Sequence, residues 1–123
     1  MKVKIDTREK FHVIKIEEPV LAANMTAELE NCLLPLLESS IKNVVLNCRE
    51  IESIELAAAE TLVRIQQSFY ENEASFVICE LNKSAEAVLD DQNLLELMNT
   101  TPTETEAWDI VQMEEIEREL LGE

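Results

Sequence analysis

Apolar and polar side chains alternate over residues 1–6 and again over residues 11–16. A period of two is the signature of a half-buried strand, and polar Thr7, Arg8, Glu9 and Lys10 between the segments predict an antiparallel hairpin. Pro19 then breaks the ladder, leaving Val20 and Leu21 as a short return strand. Asn24 is a candidate N-cap. Behind it Met25, Leu29, Cys32, Leu33, Leu36 and Leu37 follow helical spacing, with Pro35 predicting a kink or an early end.

The segment over residues 44–63 organises the chain. Val44, Val45 and Leu46 form an apolar run, two of them β-branched, which suits a strand covered on both faces. Arg49 and Glu50 interrupt it, Ile51 and Ile54 bracket a connection, and an alanine-rich run then opens a helix. That helix is amphipathic through Ala58, Leu62, Ile65 and Phe69 and closes at polar Glu71, Asn72 and Glu73. Residues 74–81 read as a second apolar strand. Strand, helix and strand of these lengths make a βαβ unit with two parallel strands.

Ser84 is placed to cap a short helix using Ala85, Val88 and Leu89, with a loop over residues 90–93. Residues 94–98 fit a helical end or an edge strand equally. Thr103 and Glu106 have capping-box spacing ahead of a last helix. Its apolar positions are Ala107, Ile110, Val111, Met113, Ile116 and Leu120, some or all of them expected to be buried. Asp109, Glu114, Glu115, Glu117 and Glu119 lie between them. No linker divides the chain, so residues 1–123 are expected to form a single domain.

Charge narrows the functional classes. The 123 residues carry 26 acidic and 10 basic side chains, a formal net charge of −16. Such a field repels nucleic-acid phosphates and anionic lipid heads, so no nucleic acid and no direct membrane binding are expected. A basic protein surface suits it better. Cys32, Cys48 and Cys79 are odd in number with no CxxC spacing, which fits buried thiols in a reducing cytoplasm. No leader and no apolar run of membrane-spanning length is apparent.

Enzymatic signatures are lacking. The only glycine, Gly122, cannot build a phosphate cradle or a dinucleotide fingerprint. Lone His12 has no metal-ligand neighbours at short spacing and reads as a half-exposed strand residue. Adjacent Asp90 and Asp91 lack a basic or aromatic frame, and Trp108 reads as a core-edge residue. The central strand ends in Asn47 and Cys48, which cannot accept a phosphoryl group as an acyl phosphate. No catalytic residue, cofactor or metal site is expected.

The order of strands and helices over residues 1–120, with the segment from Asn43 to Ala59, resembles the STAS domain. This family is shared by sulphate transporters and bacterial anti-sigma-factor antagonists. Its members run from an apolar strand through a Leu-Ser-Gly-like turn to an apolar residue and Asp-Ser-Ser-Gly-Leu at a helix start. Here Ile54 stands for the apolar residue and Glu55 for the aspartate. Leu56 and Ala57 stand for the two serines, and Ala58 for the glycine. The Gly-Leu-Asp signature after the second strand is replaced by Glu18, Pro19, Val20 and Leu21.

The resemblance implies an α/β, STAS-like (SpoIIAA-like) fold. It would have a mixed β-sheet of about four to five strands and about four helices, packed mainly on one face. It also implies a non-catalytic protein-interaction domain that regulates transcription by binding a kinase-type anti-sigma factor. In antagonist members that kinase phosphorylates the second serine. Ala57 has no hydroxyl, so the switch is expected to be absent; Ser53 and Thr61 are the nearest substitutes. The expected interface is Ile54, Glu55, Leu56, Ala57, Ala58 and Glu60 with the 18–25 segment, in a monomer or homodimer. The alternatives are a STAS-type subunit of a lipid-transporting ABC ATPase and a small-ligand-binding α/β protein.

Overall fold

The computed structural model describes residues 1–122. The elements in chain order begin with strands β1 (Val3–Thr7), β2 (Phe11–Ile16) and β3 (Val20–Leu21), then helix α1 (Thr26–Leu33). Strands β4 (Asn43–Asn47) and β5 (Ser53–Ile54) precede α2 (Leu56–Glu71) and β6 (Phe76–Cys79). The chain ends with α3 (Lys83–Asp91), β7 (Thr100–Thr101) and α4 (Glu104–Leu121). Strand order in the main sheet is β1-β2-β4-β6-β7. Only β1 runs antiparallel to its neighbour, and the expected βαβ unit is present as parallel β4 and β6 joined by α2.

Alternation along the inner strands divides the core in two. Ile14, Ile16, Val44, Leu46, Phe76 and Ile78 face α1, α2 and α3 together with Leu29, Leu62, Phe69 and Leu89. Phe11, Val13, Val45, Val77 and Cys79 face the other way, against Ala107 and Val111 of α4. Both faces are covered, which is why the inner strands read as apolar runs. Three helices lie on one face and one on the other.

Several local expectations are corrected. Val20 and Leu21 do not return to the hairpin. They pair in parallel with Ser53 and Ile54 as a separate two-stranded sheet. Asn24 caps nothing, because it lies within a 3-10 turn (Ala23–Met25), and α1 starts behind Met25 with no side-chain cap. The early end expected from Pro35 is present: α1 stops at Leu33, and Pro35 sits in the first turn of a following 3-10 segment (Leu34–Glu38). The cap of α3 is Asn82, whose side chain accepts from Ala85 N–H at 2.7 Å, and not Ser84. α3 runs on through Asp91, and a 3-10 turn (Leu95–Leu97) occupies the ambiguous stretch. Thr103 does cap α4, accepting from Glu106 N–H at 3.3 Å. His12 is buried, between Thr7 Oγ1 at 2.9 Å and the Ile41 carbonyl at 2.8 Å.

With its single glycine at position 122, the chain makes its left-handed turns from other residues. Glu73, Glu80 and Asn93 have φ of 57°, 63° and 58°. Glu73 follows the C-cap of α2, where Ala74 N–H closes back on the Phe69 carbonyl at 2.9 Å. A β-carbon is disfavoured in that conformation and glycine is the usual occupant. Glu73→Gly is therefore expected to stabilise the fold by about 0.5–1 kcal/mol, after allowing for glycine's freer unfolded chain. A higher urea midpoint at unchanged slope would register it.

The cysteines follow burial. Cys48 and Cys79 are buried and Cys32 is half-buried. Burial pushes the Cys48 thiol up to about 12 and raises Cys79 and Cys32 as well. A thiol reagent at neutral pH is expected to modify Cys32 slowly in the folded protein. Cys48 and Cys79 are expected to react only after denaturant is added.

Candidate functional site

The start of α2 and the 19–25 segment are built as one unit. The Pro19 carbonyl accepts from Glu52 N–H at 2.7 Å and Ser53 N–H at 3.2 Å, and the Leu21 carbonyl accepts from Glu55 N–H at 2.9 Å. Glu55 is the N-cap residue of α2, yet its side chain does not cap its own helix. The carboxylate reaches across instead and accepts from Ala23 N–H at 2.6 Å. Glu55 thus locks the 3-10 turn over Ala23–Met25 to the helix mouth. The first intrahelical bond runs from Ala59 N–H to the Glu55 carbonyl at 3.0 Å. The amides of Leu56, Ala57 and Ala58 precede it and lie at the positive end of the helix dipole.

The residues named from the sequence divide by burial. Ile54 and Ala58 are buried in the core with Ala59 and Leu62, so neither can touch a partner. Glu55, Leu56, Ala57 and Glu60 are exposed. Val20, 38% exposed on β3, and Leu56, 43% exposed, are large apolar side chains left in solvent on the two tied segments. Val20 falls within the expected 18–25 segment but is not singled out there; its exposure follows from the β3–β5 pairing, which local pattern does not reveal. Glu52 adds to the acidic rim of Glu55 and Glu60.

Position 57 presents a methyl group at the surface. Thr61 is fully buried, with Oγ1 donating to the Ala57 carbonyl at 2.9 Å and accepting from Arg64 Nη2 at 2.9 Å. Its hydroxyl is closed to a kinase. Ser53 is half-buried on β5. Among the described residues no group of three or more His, Cys, Asp and Glu could hold a metal. No described helix is long and apolar enough to cross a membrane.

At the strand ends beside this unit, Asn47 Nδ2 donates to Glu104 Oε1 at 2.8 Å, and Asn47 Oδ1 accepts from Arg49 N–H at 2.8 Å. Trp108 Nε1 donates to the other Glu104 oxygen at 3.1 Å. Trp108 packs edge-on to Phe11 at 5.2 Å between ring centres and carries the Arg8 guanidinium at 4.8 Å. The Asn47–Glu104 bond ties α4 to the central strand, Trp108 braces Glu104 within α4, and Trp108 is a core-edge residue.

The fold has close counterparts among solved structures. One is a putative anti-sigma factor antagonist from Thermotoga maritima, with a TM-score of 0.76 and 19% identity, covering 89% of this chain and 94% of that one. An anti-sigma factor antagonist from Mycobacterium paratuberculosis gives 0.77 at 12% identity, covering 90% and 93%. A variant of RsbS from Moorella thermoacetica gives 0.75 at 18% identity, covering 91% and 96%. No curated protein matches the chain in sequence. The family model for the STAS domain matches residues 2–107, from the first strand to the first turn of α4, and the chain therefore belongs to the STAS domain family.

Proposed function

We propose that residues 1–123 form one non-catalytic STAS domain that regulates transcription by binding a kinase-type anti-sigma factor in the cytoplasm. Docking would use Glu55, Leu56, Ala57 and Glu60 together with Val20 and the turn over Ala23–Met25. The observation that carries this reading is the Glu55 carboxylate on Ala23 N–H, which fixes two exposed segments as a single surface. Leu56 and Val20 supply its apolar centre and the acidic residues its rim, the usual arrangement of a protein interface. The fold is that of anti-sigma factor antagonists, which supports the choice of partner class.

Ala57 makes the contact constitutive. A phosphoryl group there would bring about −1.5 to −2 charges into an apolar contact. Without a hydroxyl the surface stays in its binding state. Incubation with a kinase-type anti-sigma factor and ATP is expected to leave the complex intact and the chain unphosphorylated. Ala57→Asp is expected to weaken the complex at least about tenfold, roughly 1.4 kcal/mol. A carboxylate near a helix N-terminus is favourable to the helix, so this loss would read binding and not folding. Isothermal titration checks both. Equally tight binding by the Ala57→Asp variant, or co-purification with a transporter ATPase and no kinase-fold protein, would overturn the proposal.

A further inference from the structure

α4 carries a second apolar stripe, on the side away from the sheet. Ala107 and Val111 mark the packed side, and Arg118 on that side reaches Asn43 and Ser75. Met113, Ile116 and Leu120 lie at spacings of three and four on the opposite side, 59%, 55% and 72% exposed. They form a stripe about 10 Å long at 1.5 Å per residue. The sequence pattern predicts some or all of these positions in the core; the structure leaves these three in solvent. They also lie beyond residue 107, where the family match ends.

Charge decides what covers the stripe. From Glu104 to Leu121 the helix holds seven acidic residues, and its one cation, Arg118, is turned inward to Glu115, Asn43 and Ser75. Exposed Asp109 and Glu117 flank the stripe. A second copy of α4 laid on it would set acid against acid with no free cation on either helix to answer. An anionic lipid surface meets the same repulsion. We infer that the Met113–Ile116–Leu120 face of α4 docks a basic amphipathic helix of a partner protein. Apolar side chains would enter the stripe, and lysine or arginine would meet Asp109 and Glu117. This surface lies across the sheet from the start of α2, so it is independent of the binding reading above and would let the domain join two partners.

The test titrates full-length protein into two labelled synthetic helices. Both carry leucine at helical spacing; one has lysines between the leucines and the other glutamates. Saturable binding of the lysine peptide is expected, with at least tenfold weaker binding by the Met113→Ser, Ile116→Ser, Leu120→Ser variant. These side chains are exposed, so the melting temperature of that variant is expected to stay unchanged. The pair Asp109→Lys and Glu117→Lys is expected to lose the lysine peptide and gain the glutamate one. Equal binding of the lysine peptide by the wild type and the serine variant would overturn the inference. So would a wild-type dimer in sedimentation that the serine variant loses, or stripe-dependent binding to phosphatidylcholine vesicles.

Discussion

Asn43→Ala is expected to destabilise the protein by about 3 kcal/mol, the combined cost of orphaning one buried and three part-buried partners. Asn43 begins the central strand and is buried. Its amide donates to the Lys10 carbonyl at 2.9 Å and to Glu115 Oε2 at 2.9 Å. Its carbonyl oxygen accepts from Ser75 N–H at 2.7 Å and Arg118 Nη2 at 3.1 Å. One side chain therefore ties the β1–β2 turn, the start of β6 and the last turns of α4 to the middle of the sheet. Alanine leaves all four partners, and water can reach only some of them. The variant should also lose part of its acid sensitivity. The Asn43 amide, and after it Arg118, holds the Glu115 carboxyl below the usual carboxylate range. A depressed folded-state value gives stability that is present above the unfolded carboxylate value and fades as pH falls through the folded one. Urea unfolding from neutral pH downward should show a shallower acid limb for Asn43→Ala than for the wild type.

Phe69→Ala is expected to cost about 4 kcal/mol, within the range for a large aromatic removed from a packed core. Phe69 is fully buried near the end of α2, its ring 5.1 Å from that of Phe76 at 54°. It joins the crossover helix to the first residue of β6, so the cavity opens where α2 hands the chain back to the sheet. Loss of that size is a large fraction of the total stability of a domain, about 5–15 kcal/mol. Phe69→Leu keeps most of the volume and is expected to recover more than half of the loss. Denaturant midpoints of the three proteins check both statements.

The parts of this fold that local chemistry specifies were legible from residues alone. Val44, Val45 and Leu46 declared a strand covered on both faces, and the 3.6-residue spacing from Ala58 to Phe69 matched the buried side of α2. Thr103 announced its helix because its hydroxyl acts on the adjacent turn. Asn24 and Ser84 misled because a good capping residue works only where the chain begins to wind. Tertiary contacts moved both starts, to Met25 and Asn82. The β3–β5 pair joins residues about thirty apart in sequence, and two-residue strands leave no period to read. That hidden pairing buries Ile54 and exposes Val20, so the composition of the candidate surface could be named only in part. On α4 the pattern allowed all or only some of the apolar positions in the core, and Ala107 and Val111 are the ones buried. Its apolar residues line two opposite sides of one helix, and periodicity alone does not say which side meets the sheet.

The rims of the sheet have a consequence for behaviour in concentrated solution. One rim is β7, two residues long, and the other is β1, where Lys4 and Asp6 alternate with Val3 and Ile5. A neighbouring molecule seeking to extend the sheet finds too few free amides at the first rim and must desolvate ionic side chains at the second. Stacking into ribbons is thereby disfavoured from both ends, and molecules are left to meet through side-chain surfaces, where recognition can be selective.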